Sequence, residues 1–222
     1  MSIIWAIFVK DLRVEWRNRE AVASMCVFGL LVVFLFNFAF ETGREETLRM
    51  LPGLLWIAFA FAGILGFNRS FAAERDNSCL EGMTLAPIDP SAIFVGKLLA
   101  NLLFLGGAEV VVVFAASLWY NFSFVPALGW FALIVLLGTL GYAALGTIFG
   151  AVAANTRMRE VMLPVLQFPV AFWVLILSID ATSDALRGMG RKANTAGAAR
   201  VAGLSLIFAV VSFLLFEYVL EE

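Results

Sequence analysis

Six long apolar stretches, separated by shorter polar ones, organise this chain. Ala21 to Phe40 is a charge-free run of 20 residues, Met50 to Phe67 of 18, and Val161 to Ile179 of 19. Leu98 to Tyr120 runs for 23 and is broken only by Glu109. Val125 to Ala154 runs for 30, enough for one long helix after a turn at Pro126. The last run, Val201 to Phe216, has only 16 residues, which Leu220 and a snorkelling Arg200 extend. A helix that crosses the hydrocarbon core needs about 20 apolar residues. These runs are continuously apolar and lack the two-residue alternation of barrel strands. They predict an all-α integral membrane protein with six transmembrane helices, at about 21–40, 50–67, 98–120, 127–154, 161–179 and 201–220. Five spans is the alternative if the last segment lies in the interface.

The first twenty residues carry a different period. At 100° per residue Ile4, Trp5, Phe8, Val9, Leu12 and Trp16 fall on one helical face, and Lys10, Arg13 and Arg17 on the other. A basic polar face with tryptophans at its edge suits the headgroup plane. The pattern predicts an interfacial amphipathic helix over 1–20, ahead of a transmembrane domain over 21–220. That helix is either an anchor or an elbow that passes motion into the first span. No cleavable signal peptide is expected, because the first apolar run exceeds the usual core of about 7–15 residues.

Residues 68–97, between the second and third spans, carry Arg69, Glu74, Arg75, Asp76, Glu81, Asp89 and Lys97. Asp89 as N-cap and Pro90 at the first helical position start a helix inside this segment. Upstream, Phe71 to about Leu85 predicts a short amphipathic helix ending before Pro87, with Phe71, Leu80 and Met83 as its apolar contacts. Charges beside exposed apolar residues suit a docking surface. A solvated loop helix is the plainer alternative.

Composition removes the soluble alternatives. Apolar types make up 62% of the chain and charged types 14%, against about 25% charged in soluble domains. With six spans, Lys10, Arg13, Arg17, Arg19, Arg69, Arg75, Lys97, Arg157 and Arg159 fall on one side. Arg44, Arg49, Arg187, Arg191, Lys192 and Arg200 fall on the other. That bias puts both termini in the cytoplasm. A net charge of −2 offers no basic surface to nucleic acid. There is no histidine, and Cys26 and Cys79 lie far apart. No metal site or redox pair is expected, and no catalytic residue is assigned. Gly96-Lys97 is followed by Leu98 and lacks the upstream glycine of a phosphate loop, so the chain is not expected to bind or hydrolyse ATP through that motif.

Within the spans, Glu109 sits at the middle of the third, where an ionised carboxylate costs about 2.5–3.5 kcal/mol. It is expected to face the bundle interior, meet a donor or be protonated, in a functional role or as a structural hydrogen bond between helices. Gln167, flanked by Pro164 and Pro169, marks the fifth span as kinked or irregular. Gly138, Gly141, Gly146 and Gly150 predict close helix packing in the fourth, with Gly146 and Gly150 as a small-xxx-small pair; a transport hinge is the alternative. Gly188-Met189-Gly190 begins a dinucleotide-motif match that no strand precedes, and is read as chance.

Three anchors carry a resemblance. The first is Glu74-Arg75-Asp76, Leu80-Glu81-Gly82, Pro87, Asp89 and Gly96-Lys97. The second is Ala153-Ala154-Asn155-Thr156-Arg157, then Arg159-Glu160-Val161 and Leu163-Pro164. The third is Gly138-Thr139-Leu140-Gly141-Tyr142 with Gly146-Thr147. In these motifs, their order and the number of spans, nearly the whole chain resembles the heme exporter protein B family. That is the CcmB-type membrane subunit of the cytochrome c maturation system. The Arg191-Lys192 pair on the outer side departs from the expected topology. The resemblance implies an ABC-2-like permease in a bacterial inner membrane. Its partners would be a cytoplasmic ABC ATPase subunit, a heme-handling membrane subunit and a heme chaperone, and a homodimer is allowed. Glu74, Arg75, Asp76, Leu80, Glu81 and Met83 would form the ATPase-docking loop, and Asn155, Arg157, Arg159 and Glu160 a second cytoplasmic contact. Heme would be a transient ligand, not a stably bound cofactor; without histidine its contacts would be apolar or through Met, Tyr or Cys. The coupled event would be heme export or release of the loaded chaperone. An ABC permease for a lipid-linked sugar or drug and a non-transporting scaffold remain rivals. A heme lyase is disfavoured by the missing histidine.

Overall fold

The computed structural model describes residues 3–39, 44–76, 89–154, 156 and 158–221. They form seven α-helices: α1 (Ile3–Asn18), α2 (Glu20–Ala39), α3 (Arg44–Asp76), α4 (Pro90–Trp119), α5 (Leu128–Ala154), α6 (Arg159–Leu186) and α7 (Arg191–Glu221). A 3-10 turn at Val125–Ala127, set by Pro126, leads into α5. Helices α2 to α7 are each long and apolar enough to cross a membrane. Helix α7 runs for 31 residues, well beyond the 16-residue apolar run, so the last span has the length to cross that the six-span reading needs.

The polarity of the bundle is that of a protein dissolved in lipid. Its outer surface presents Val110, Phe114, Leu136, Trp173 and Leu214, while Asn101, Glu109, Thr147, Gln167, Thr182 and Ser205 are buried. Such polar groups point inward because hydrocarbon offers them no partner. The chain is a multi-pass membrane protein.

Helix α5 is the hub. It packs against α3, α4, α6 and α7. Its glycines receive neighbours in two ways. At Gly138 and Gly146 a Cβ would overlap the ring atoms of Trp56 and Phe67, so these glycines are slots for aromatic side chains of α3. At Gly141 a Cβ would lie 2.9 Å from Ser205 Cα, a backbone-to-backbone approach of α5 and α7. Gly150 is buried.

Several elements outrun their apolar runs. The second span continues as one helix to Asp76, so residues 71–76 extend α3 rather than opening a separate helix. Helix α4 starts at Pro90, with Asp89 as N-cap accepting from Ser91 N at 2.8 Å. The two hydrogen bonds from Ser91 hold the exposed Asp89 carboxyl below the usual carboxylate range. A depressed folded pKa means the cap's contribution is present above the unfolded pKa and fades as pH falls through the folded one. The loop expected over 180–200 is largely absent: α6 runs to Leu186 and α7 begins at Arg191. The hairpin continues because Gly197 lies against Ala181, small residues that keep the two helices in contact. Gly188 and Gly190, at φ +67° and +88°, close it in a conformation other residues resist. Their spacing serves a turn, not a nucleotide motif. The fifth span, read as kinked or irregular, is assigned as one helix that includes Pro164 and Pro169.

Candidate functional site

At the end of the bundle where α2 begins, two helices stand beyond it. Gly29 of α2 faces Val112 of α4, which sets the start of α2 about level with Leu103. The first thirteen residues of α4 therefore project about 20 Å past it, at 1.5 Å per residue. Helix α3 does the same. Arg69 meets Glu20 at the base of α2 with 2.8 Å between Nη1 and Oε2, and Asp76 lies seven residues further on, about 10 Å. Both groups of that pair are exposed, so it adds at most about 1 kcal/mol.

Helix α1 braces this projection. Ile7 and the Ile4 carbonyl sit directly over Gly96, where a Cβ would come within 2.9 Å of Ile7 Cβ. One turn on, Lys97 Nζ lies 3.0 Å from Asp11 Oδ2, and Lys10 Nζ lies 3.1 Å from Asp11 Oδ1. Lys97 is 1% exposed and Asp11 8%. The Lys97 contact is an ion pair at close range whose direction is poor for a hydrogen bond. Sequence reading used Lys97 as a topological charge and did not single out Asp11. The only signal was an acid inside a basic helix, and nothing in the periodicity names its partner. The stripe that α1 buries, Ile4, Ile7 and Asp11, lies at the edge of its apolar face. Trp5 and Trp16 remain exposed.

The elbow between α1 and α2 is one residue. Arg19 adopts φ +56°, a left-handed conformation that costs a non-glycine residue about 1–2 kcal/mol. Glu15 accepts from Val22 N at 2.8 Å across the elbow, placing a carboxylate at the N-terminus of α2, where the helix dipole favours it.

The expected docking residues divide between described and undescribed positions. Glu74, Arg75 and Asp76 occupy the last helical turns of α3, and only their backbone is described. Arg159 and Glu160 open α6, again as backbone. Leu80, Glu81, Met83, Asn155 and Arg157 lie outside the described residues.

A polar belt surrounds α5 inside the membrane. Glu109 is 4% exposed and accepts from Thr139 Oγ1 at 2.7 Å. Asn101 Nδ2 donates to Thr147 Oγ1 at 3.0 Å. Gln167 Nε2 donates to the Tyr142 carbonyl at 3.3 Å, and Tyr142 Oη donates to the Ala60 carbonyl at 2.6 Å. Trp56 Nε1 reaches Thr182 Oγ1 at 3.0 Å, tying α3 to α6. Single hydrogen bonds between spans contribute about 0.6 kcal/mol on average. Glu109→Gln, which keeps an acceptor for Thr139, is therefore expected to leave the melting temperature in detergent nearly unchanged. Thr139→Ala should cost about 0.6 kcal/mol. A collapse of the variant complex's activity at normal expression and normal melting would give Glu109 a role beyond that bond.

Among the described residues no three Cys, Asp or Glu side chains gather into a metal site. What the arrangement can do is mechanical: a braced projection leads into a hub helix through continuous packing.

The sequence profile of the family described as "CcmB protein" matches residues 2–218. The chain is 27% identical over 209 residues to "Heme exporter protein B" of Pseudomonas aeruginosa, covering 93% of this chain and 92% of that protein. It is 28% identical over 186 residues to the protein of the same name from Rhodobacter capsulatus, covering 83% and 84%. The Escherichia coli K12 protein of that name aligns over 99 residues at 28% identity, 45% of each chain. A match running from the start of α1 to the last turn of α7 reaches every helix described above, and on that ground the chain belongs to the CcmB protein family.

Proposed function

We propose that this chain is the permease subunit of an ABC-type complex in a bacterial inner membrane. The complex serves cytochrome c maturation, and both termini of the chain face the cytoplasm. Heme is cargo, and ATP hydrolysis in a separate subunit drives its export or the release of a heme-loaded chaperone. The names of the relatives support the heme assignment, and the excess of Lys and Arg on the projecting side supports the orientation.

One observation carries the coupling role. The ends of α3 and α4 that flank residues 77–88 stand clear of α2, and the α4 end is braced by the buried Asp11–Lys97 pair. A helix end braced against its neighbour passes force into the bundle. A segment on a free loop dissipates it. Residues 74–86 are the surface that engages the ATPase, with Arg159 and Glu160 as a smaller contact on the same side.

The test is the triple replacement of Glu74, Arg75 and Asp76 by alanine, assayed in the assembled complex. Truncating central interface residues costs about 2 kcal/mol or more, which is more than about tenfold in affinity. The ATPase is expected to dissociate or to lose stimulated turnover by that factor, with membrane insertion unchanged. Full copurification with full stimulated turnover would reject the docking surface. Loss of c-type cytochromes on deletion of the chain separates this reading from a permease for another substrate.

A further inference from the structure

We infer that the groove between α1, α2 and α4 is a binding site for one anionic phospholipid of the leaflet that α1 lies in. The groove has a volume of about 410 Å³, within the range of small-molecule sites. Its walls are Leu12 and Trp16 of α1, Val22 and Ala23 of α2, and Phe104 and Gly107 of α4. They are almost wholly apolar. The groove begins at the first turn of α2 and follows the outside of the bundle, beside an amphipathic helix with Trp16 75% exposed. That is the depth at which headgroups give way to acyl chains.

Charge at the mouth selects the headgroup. Glu15, Arg19 and Leu103 complete the lining. The Glu15 carboxylate is already committed to Val22 N. The Arg19 guanidinium lies over the Trp16 ring at 5.7 Å, and its Nε donates to the Trp16 carbonyl at 3.5 Å. Among the described residues its two terminal nitrogens have no acceptor. Of the two charged side chains in the lining, Glu15 is taken up by the amide, which leaves Arg19 to set the charge of the mouth. A guanidinium with two donors free matches a phosphate oxygen pair. The strained φ of Arg19 holds it at the mouth; such strain marks functional positions.

The experiment uses the full chain, purified in detergent, delipidated and offered phosphatidylglycerol or phosphatidylcholine of equal chain length, with bound lipid read by native mass spectrometry. The unaltered chain is expected to retain one phosphatidylglycerol, about fivefold over phosphatidylcholine, the preference one juxtamembrane cation gives. Gly107→Leu fills the groove where an added Cβ meets nothing within 4 Å, and is expected to abolish retention of both lipids at an unchanged melting temperature. Ala23→Leu, at an exposed position of the facing wall, repeats the test should Gly107→Leu fold poorly. Arg19→Asn keeps a residue tolerant of the left-handed region and removes the guanidinium. It should equalise the two lipids without ejecting them. Undiminished phosphatidylglycerol on folded Gly107→Leu or Ala23→Leu would overturn the proposal. So would a lipid-free dimer that these variants dissociate, which would make the groove a contact between two copies.

Discussion

Asp11→Leu destabilises the protein by about 3–5 kcal/mol, because it removes the carboxylate that faces a buried ammonium. Lys97 is 1% exposed, so its charge has little water to fall back on, and α1 loses the contact that holds it to α4. The reverse single change, Lys97→Met, should cost less, since Lys10 stays within 3.1 Å of Asp11 and is itself partly in solvent. The double variant Asp11→Leu with Lys97→Met removes both charges and fills the space with apolar groups. Replacing a buried ion pair this way is often neutral or stabilising, so the double variant should recover most of the lost melting temperature. Thermal unfolding in detergent of the four proteins closes the cycle. Additive single costs with no recovery would mean the pair is not coupled. If the proposed coupling role is right, the recovered double variant still differs in one respect: stimulated ATPase turnover in the complex reports whether the brace needs its charge or only its packing.

Gly141→Ala is the second large effect. Its Cβ would fall 2.5 Å from Ser205 Oγ, 2.8 Å from Ser205 Cβ and 2.9 Å from Ser205 Cα. No rotamer relieves a clash with a Cα, so α5 and α7 must move apart. Overpacking of this kind costs about 1–3 kcal/mol, and Gly141→Leu should exceed that and lower the folded yield. The controls are Gly106→Ala and Gly129→Ala. An added Cβ meets nothing within 4 Å at either, and alanine is the better helix former by up to about 1 kcal/mol. Those two variants should melt at or slightly above the parent. Equal loss at Gly141 and Gly106 would show that glycine matters here for the backbone and not for the approach of α7.

The family motifs were legible because each states a local rule. Asp89-Pro90 reads as a helix start, and the structure places the N-cap there. Glu109 reads as a carboxylate that hydrocarbon will not accept, and it lies inside, against Thr139. The same reasoning placed the polar segment after the second span as one long loop and helix. Yet α3 carries the span straight on to Asp76. Likewise it ended the fifth span at Ile179, whereas Asp180, Thr182 and Asp184 continue α6 to Leu186. Hydropathy reports where a segment leaves lipid, and a helix need not stop there.

The amino-acid order alone determined that this chain dissolves in a bilayer, that it crosses it six times, and which carboxylate must turn inward. Those are consequences of transferring contiguous residues from water to lipid, a cost each segment meets by itself. Only the tertiary structure decided that Asp11 belongs to Lys97 across 86 positions of chain. It also decided that Gly138 and Gly146 admit rings while Gly141 admits a backbone, and that a single left-handed arginine joins α1 to α2. Pairings between helices depend on rotation, depth and the shape of the neighbour. No stretch of sequence carries those quantities until the bundle is packed.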